Sequence, residues 1–325
     1  MGTSDGKCCP GKAGQLGQAP HNVYRDAALN VSPARTETRR RLRARLVEIP
    51  GGIFEMGARK STFPTDLDSP RAKVKIDPFL ISPYAVSNAE FAEFVTDTGY
   101  VSVAEREGWS FVFHLHLTDS HKWPVSPPGL PWWRKVNGAY WGAPQGPGST
   151  WQDGTDHPAT HITWSDVLAY CTWAGLRLPW EAEWERAARG GLARMKFPWG
   201  NTMTPGGKHQ MNTWQGAFPN ENTSEDGFIG TAPVDSFKPN GFGLFNMTGN
   251  VWEWVQDYFG PISATSKRPV SNPRGPETGD WRIQRGGSHL CHISYCDRYH
   301  VHSRSSNDPD SSTSNCGFRV AADLW

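Results

Sequence analysis

From Phe197 to Trp325 the chain never holds one apolar pattern for long: short apolar runs are separated by Gly, Pro, Asn and Asp. Gly and Pro punctuate helices and strands, so such a chain must fold from brief elements joined by turns. Its 325 residues include 34 Gly, 26 Pro and 16 Trp against 8 Tyr, which points to a core of aromatic plates held by tight turns. Long amphipathic helices are scarce, no internal repeat is visible, and no break follows residue 46. The expected class is α+β, a single loop-rich domain over residues 46–325. Residues 1–45, polar and carrying an Arg cluster from Arg35 to Arg45, are expected to be a poorly ordered extension.

Local signals place several elements. Val47–Glu48–Ile49 and Ile53–Phe54–Glu55–Met56 flank Pro50–Gly51–Gly52, which reads as a hairpin turn. Lys73–Val74–Lys75–Ile76 alternates like a half-buried strand. Ser87 with Glu90 forms a capping box ahead of Phe91, Phe94 and Val95. Ser165 reads as a second cap for a helix ending at Gly175. A third helix is expected from Glu181 to Ala188, stopping at Gly190–Gly191. Between the first two, residues 108–156 hold Trp132, Trp133 and Trp141 among Pro and Gly, an irregular segment too aromatic for disorder.

Composition excludes whole classes. Thirty-three Lys and Arg against 32 Asp and Glu leave a net charge of +1, so there is no basic field to gather nucleic acid or an anionic membrane. No run of eighteen apolar residues occurs, and the first twenty residues carry no apolar block of the secretory kind. Cys8, Cys9, Cys171, Cys291, Cys296 and Cys316 are too few for a disulfide scaffold in a chain this size, which suits a cytoplasmic protein with a local thiol site. Dinucleotide, Walker and nucleophile-elbow fingerprints are absent, and the 11 His form no His-Glu-x-x-His site. An oxidase built on this chain would need a metal and O2 directly.

The richest stretch chemically is Arg285–Gly286–Gly287–Ser288–His289–Leu290–Cys291–His292–Ile293–Ser294–Tyr295–Cys296. Cysteines five apart point about 140° from one another on a helix and to opposite faces on a strand, so the backbone must bend if both thiols converge. Two thiolates suit a soft, low-coordinate ion such as Cu(I), whereas structural zinc wants four ligands. A local disulfide or two unrelated buried thiols would fit the spacing equally. Asn212, Asn222, Asp226, Asn246, Asn250 and Glu253 form an oxygen-rich set of the kind Ca²⁺ needs, or alternatively a series of turn residues. His300 and His302 could share one side of a strand, or simply pack.

The motifs in this order resemble the formylglycine-generating enzymes. They are Ile49–Pro50–Gly51–Gly52 with Met56–Gly57, His157–Pro158, Trp173–Ala174–Gly175, Arg177–Leu178–Pro179 with Glu181–Ala182–Glu183–Trp184–Glu185, and the run from Asn246 to Trp254. They continue with Arg285 through Cys291 to Cys296, Arg298–Tyr299, Asp308 to Ser312, Asn315 and Gly317–Phe318–Arg319. The resemblance implies a fold related to C-type lectins with little regular secondary structure. It implies Cu(I) on Cys291 and Cys296, with the thiol of a Cys-x-Pro-x-Arg motif in an unfolded sulfatase as a further ligand and O2 as oxidant. Ser288 and Tyr295 then belong to the catalytic set, and Asn315, Trp132, Trp133 and His292 to the substrate groove. Two Ca²⁺ sites are implied: Asn212, Thr213, Asp226 and Phe228 in one, Asn246, Gly249, Val251 and Glu253 in the other.

Some positions depart from the family. Ala188, Val301 and Val320 stand where secreted-pathway members have disulfide cysteines, leaving Cys171 without its expected partner and Cys316 as a candidate for it. That pattern suits a reducing compartment. Trp180 replaces a usual Thr, and His300 and His302 replace Arg and Ala. Competing readings are a non-catalytic lectin-like peptide-binding module and an iron-dependent sulfoxide synthase, the latter lacking its helical domain here. Cys8–Cys9 either deliver metal or trail in solvent.

Overall fold

The computed structural model describes residues 9–11, 21–262 and 268–324. In chain order its elements are α1 (His21–Leu29), α2 (Thr36–Ala44), β1 (Val47–Ile49), β2 (Gly52–Met56), β3 (Ala72–Ile76), β4 (Phe79–Ile81), α3 (Asn88–Thr98), α4 (Val103–Glu107), β5 (Trp109–Phe113) and β6 (Trp133–Asn137). They continue with α5 (Trp164–Ala174), α6 (Glu181–Ala188), β7 (Trp252–Tyr258), β8 (Val270–Ser271), β9 (Arg282–Arg285), β10 (Arg304–Asn307), β11 (Cys316–Phe318) and β12 (Ala321–Asp323). None of the described helices exceeds 11 residues and no described strand exceeds 7, so loops and buried side-chain pairs carry the shape. The class is the expected one, α+β and loop-rich, and no described helix is long and apolar enough to cross a membrane.

Four small sheets form, ordered β1-β4-β12, β10-β9-β7-β11, β2-β3-β8 and β5-β6. The four-stranded sheet positions the site. There β7 runs antiparallel to β9, with Glu253 opposite Arg285, and parallel to β11, with Cys316 opposite Trp252. The residues just beyond β9 and just before β11 therefore emerge on either side of β7. Those are Ser288 and Asn315.

Helix α6 turns three carboxylates, Glu181, Glu183 and Glu185, into the protein rather than toward water. Buried charge must be paired. Glu185 takes Arg285 at 2.6 Å and Arg189 at 2.6 Å, and also accepts the Gly57 amide at 2.7 Å. Glu181 takes Arg304 through two hydrogen bonds of 2.7 and 2.8 Å. Elsewhere Arg319 grips Glu253 through Nε and Nη2, and Arg298 does the same to Asp66. These four arginines, 285, 298, 304 and 319, are among the largest fully buried side chains.

Local signals hold where they are self-contained. The Ser87–Glu90 capping box starts α3, β3 alternates buried and exposed residues, and α6 has the expected bounds. Other expectations are corrected. Thr163, boxed with Asp166, caps α5, while Ser165 lies buried inside the helix and donates to Asp310. Pro50–Gly51–Gly52 is no hairpin turn: β1 pairs with β4 and β2 with β3, so the segment crosses between two sheets. The segment 108–156 contains an antiparallel pair, β5 with β6. Poor order does not describe residues 21–45, because α1 packs on α5, Ala28, Ala34 and Leu42 are buried, and the Ala34 amide donates to Trp173 O. Cys171 and Cys316 are separate buried thiols, the latter accepting from Gln284 Nε2 at 3.0 Å. Cys8 lies outside the described residues.

Removing one partner of a buried pair leaves the other charge stranded. Glu185→Gln is expected to cost about 3–5 kcal/mol in urea unfolding, and breaking the half-exposed Arg41–Glu93 pair at most about 1 kcal/mol. Equal losses would show that the buried pair has no special weight. Burial opposes ionisation of Glu185, yet Arg189 and Arg285 hold its carboxyl below the usual glutamate value. Its contribution is thus present above the unfolded-state pKa and is lost as pH falls through the lower folded value. Asp257 behaves oppositely: burial, then Glu181, pushes it up to about 8. Its folded form holds the extra proton, so stability declines from about pH 4 (the unfolded Asp value) upward. The stability advantage of Asp257→Asn should therefore grow across that window and level off above about 8; a pH-independent difference refutes it.

Candidate active site

The loop after β9 begins from a fixed point. Arg285, held by Glu185, also donates to the carbonyls of Val301, His302 and Ser303 at 2.7–3.0 Å, tying both ends of the loop together. Gly286 and Gly287 follow at φ +95° and +76°. A Cβ at 287 would sit 2.9 Å from Arg298 O, so only glycine lets the two strands of the loop approach this closely. The Ser288 carbonyl then accepts the Cys291 amide at 2.9 Å.

Between the cysteines the chain curls around one acceptor. His292 O takes the amides of Tyr295, Cys296 and Asp297 at 2.9–3.1 Å. This is the bend the spacing required. Arg298, locked on Asp66 and stacked 3.9 Å over Phe63, donates to Cys296 O and closes the far end. Cys291 and Cys296 are both 0% exposed and lie in one buried cluster with Tyr299, while Ile293 at the tip is 71% exposed. Burial first, then Asp297 and the two cysteines, raise the pKa of the Tyr299 hydroxyl.

Ser288 and Asn315 meet across β7 as the strand order dictates: Asn315 Nδ2 donates to Ser288 Oγ at 2.9 Å, and the Thr313 hydroxyl donates to Asn315 Oδ1. Tyr295, half-buried, stacks on Phe218 at 4.7 Å and takes the edge of Trp132 at 4.8 Å, forming an aromatic wall. Phe218 had no signal in the sequence beyond its being aromatic. Trp133 is the exception. Expected beside Trp132 in the groove, it is 1% exposed and packs edge-on against Phe113: Trp132 sits in the turn closed by the Trp133 amide on Leu130 O, whereas Trp133 is the first residue of β6. His292 is half-buried, its Nδ1 2.7 Å from Ser294 Oγ, with its pKa lowered by burial.

A cleft of about 610 Å³ opens beside the turn, lined by Ile293, Asp297 and Tyr299 and facing Arg59, Arg71 and Lys196. His300 and His302 reach it with rings stacked 5.3 Å apart; they lie in a loop rather than on a strand, and burial lowers the pKa of each.

Among the described residues no three His, Cys, Asp or Glu are grouped to hold a metal ion. A hard cation would depend on amide and carbonyl oxygens as well. Asn212 Oδ1 and Asn246 Oδ1 are buried without a hydrogen-bond partner, which suits that role. Asp226 binds the Thr213 and Phe228 amides, so three members of the first expected set share one neighbourhood. Glu253 is busier: Arg319 and Trp184 Nε1 supply three donors, leaving one of about four lone-pair sites. Gly249 abuts the first set, a Cβ there falling 2.4 Å from Asn212 O. The buried thiol pair, for its part, offers the soft donors that Cu(I) prefers.

The family model described as "Sulfatase-modifying factor enzyme 1-like domain" matches residues 32–324. A protein named formylglycine-generating enzyme from Thermomonospora curvata is 54% identical over 284 residues, covering 86% of this chain and 93% of its own. The like-named protein of Bos taurus is 50% identical, covering 86% and 75%. The Bos taurus protein named inactive C-alpha-formylglycine-generating enzyme 2 is 39% identical, covering 85% and 87%. The solved structure of PvdO from Pseudomonas aeruginosa shares the fold, with TM-score 0.61 at 24% identity, covering 86% of this chain and 94% of that one. The chain belongs to the sulfatase-modifying factor enzyme 1-like family, together with relatives at 50–54% identity named formylglycine-generating enzyme.

Proposed function

We propose that the chain oxidises the cysteine of a Cys-x-Pro-x-Arg segment in an unfolded sulfatase to Cα-formylglycine, using O2, with Cu(I) held by Cys291 and Cys296. The observation that carries this reading is the pair of buried thiols at the two ends of one tight turn, next to the hydrogen-bonded Ser288 and Asn315. The names of relatives at 50–54% identity support the reaction class. Copper, when bound, would supply the route by which dioxygen takes electrons from the substrate thiol.

The chain's own residues then have definable tasks. Burial of Cys291 and Cys296 keeps bulk water from the sulfurs. Ser288 and Asn315 offer a hydroxyl and an amide to a thiol or peptide group arriving beside them. Tyr295, Phe218 and Trp132 form the apolar side on which an extended peptide lies. At the substrate, the β-carbon and sulfur lose two electrons and two protons to give a C=S bond. Hydrolysis exchanges sulfur for oxygen and releases sulfide.

Calcium would act differently. On Asn212, Thr213, Asp226 and Phe228, and on Asn246, Gly249, Val251 and Glu253, it would cross-link loops and not touch the chemistry. The buried thiols are also compatible with the cytoplasmic setting, which we include in the proposal.

Cys291→Ser and Cys296→Ser should each abolish aldehyde formation in a Cys-x-Pro-x-Arg peptide, read by mass and hydrazine capture, with the circular dichroism spectrum unchanged. Activity retained by either variant ends the copper-pair reading. A chelator selective for Ca²⁺ should lower the melting temperature by several degrees and leave single-turnover chemistry nearly intact at low temperature; an unmoved melting temperature removes the calcium sites.

A further inference from the structure

Resting on that reading, the site carries a feature it does not account for. The chain's own residues Cys9–Pro10–Gly11 are packed beside it, Cys9 against Asn315 and the next two against Asn307 and Ser311. Cys9 is 3% exposed, and its sulfur lies 3.6 Å from both the Oδ1 and the Nδ2 of Asn315, a residue 306 positions away. Asn315 is the same side chain that donates to Ser288. Cys9 belongs to the buried cluster that contains Cys291 and Cys296. The next residue is held from two sides: Pro10 O accepts Ser311 Oγ at 2.7 Å and Asn307 Nδ2 at 3.1 Å. Gly11 lies so close that a Cβ would fall 3.1 Å from Asn307 Oδ1. Three consecutive residues are thus seated by side chains from β10 and the loop before β11, with no strand or helix of their own.

We propose that Cys9–Pro10–Gly11 is an internal competitor seated in the substrate groove, which an incoming Cys-Pro segment must displace before its thiol reaches Cys291 and Cys296. The occupant has the right chemistry. Cys8–Cys9–Pro10–Gly11–Lys12 repeats the Cys, Pro and cation of Cys-x-Pro-x-Arg at the same spacing, with Lys in place of Arg. It differs from a substrate in two respects. The sulfur at Asn315 belongs to the residue directly before Pro, one position out of the motif's register. Lys also lacks the planar fork with which Arg is recognised through two parallel bonds. The tail therefore competes for the groove with the Cys9 sulfur held one position out of the motif's register.

Tethering gives such a competitor a high effective concentration. When the competent state is only a fraction of the population, the apparent dissociation constant rises by the inverse of that fraction, so a tail seated nine-tenths of the time raises apparent KM about tenfold. Release should appear in KM and spare kcat.

Two readouts on the full chain test this. In the first, Cys9 is alkylated with iodoacetamide and mapped by mass spectrometry. It should react at least about tenfold slower than in the urea-unfolded chain, and faster again when a Ser-x-Pro-x-Arg peptide, which cannot be turned over, saturates the groove. In the second, Cys9→Asp and Pro10→Asp, each placing a charge where burial forbids it, should lower KM for a Cys-x-Pro-x-Arg peptide several-fold at unchanged kcat. Cys9 reacting as fast folded as unfolded, or both variants keeping the wild-type KM while the peptide is still converted, overturns the competitor and leaves the proposed reaction standing. Formylglycine at position 8 or 9 after incubation with copper and O2 also overturns it, since the tail is then a substrate. Failure of every form to convert the peptide, with Cys9 protection intact, counts against the reaction and not against the seating of the tail.

Discussion

Helix α6 faces the protein interior with carboxylates, and the structure is organised around neutralising them. Glu185 receives Arg285 and Arg189, and Glu181 receives Arg304. A helix this short would be marginal alone. Here it serves as a post to which β9 and β10 are tied by charge-assisted bonds in a dry environment, where those bonds are strongest and their loss most costly. Arg285 is both the last residue of β9 and the first anchor of the 286–296 loop. The position of the thiol pair therefore descends from an ion pair on the far side of the sheet.

The loop itself is fixed without regular structure. One carbonyl, His292 O, collects three amides, and Gly286 and Gly287 supply the left-handed backbone that brings Arg298 O close. Strand pairing then places Asn315 opposite this loop. Two short strands and one turn are enough to gather residues that lie far apart in the chain. Rigidity comes from side-chain clamps at each end, Arg285 on Glu185 and Arg298 on Asp66. A soft ion held by Cys291 and Cys296, as proposed, would gain from this, because the donor sulfurs would have little freedom to lose.

Much of this was legible in the sequence where the signal was local. The Ser87–Glu90 box, the alternation of β3 and the bounds of α6 need no knowledge of the rest of the fold. Helix and strand geometry required a bend between Cys291 and Cys296 only if their thiols converge, and the family followed from its ordered motifs. What failed depended on distant partners. Nothing near Pro50–Gly52 reveals that β1 and β2 belong to different sheets. The first helices looked weak because so few of their residues are apolar, yet Ala28, Ala34 and Leu42 suffice against α5. Trp132 and Trp133 look alike in sequence, and only the turn that ends between them sends one to Tyr295 and the other, as the first residue of β6, to the core. Cys9 gave no local hint of burial; its surroundings are built by residues near the other end of the chain.

The three-stranded sheet β1-β4-β12 draws its first two members from residues 47–49 and 79–81 and its last from residues 321–323, with Ala322 paired to Leu80. A nascent polypeptide emerging from the ribosome has no third strand to offer β4 until residues 321–323 have been made, and no Arg285 or Arg304 for the carboxylates of α6 until synthesis has passed those positions. Domains tend to fold as units. This one completes its first sheet and its buried ion pairs in a late, collective step that waits for its most C-terminal described strand.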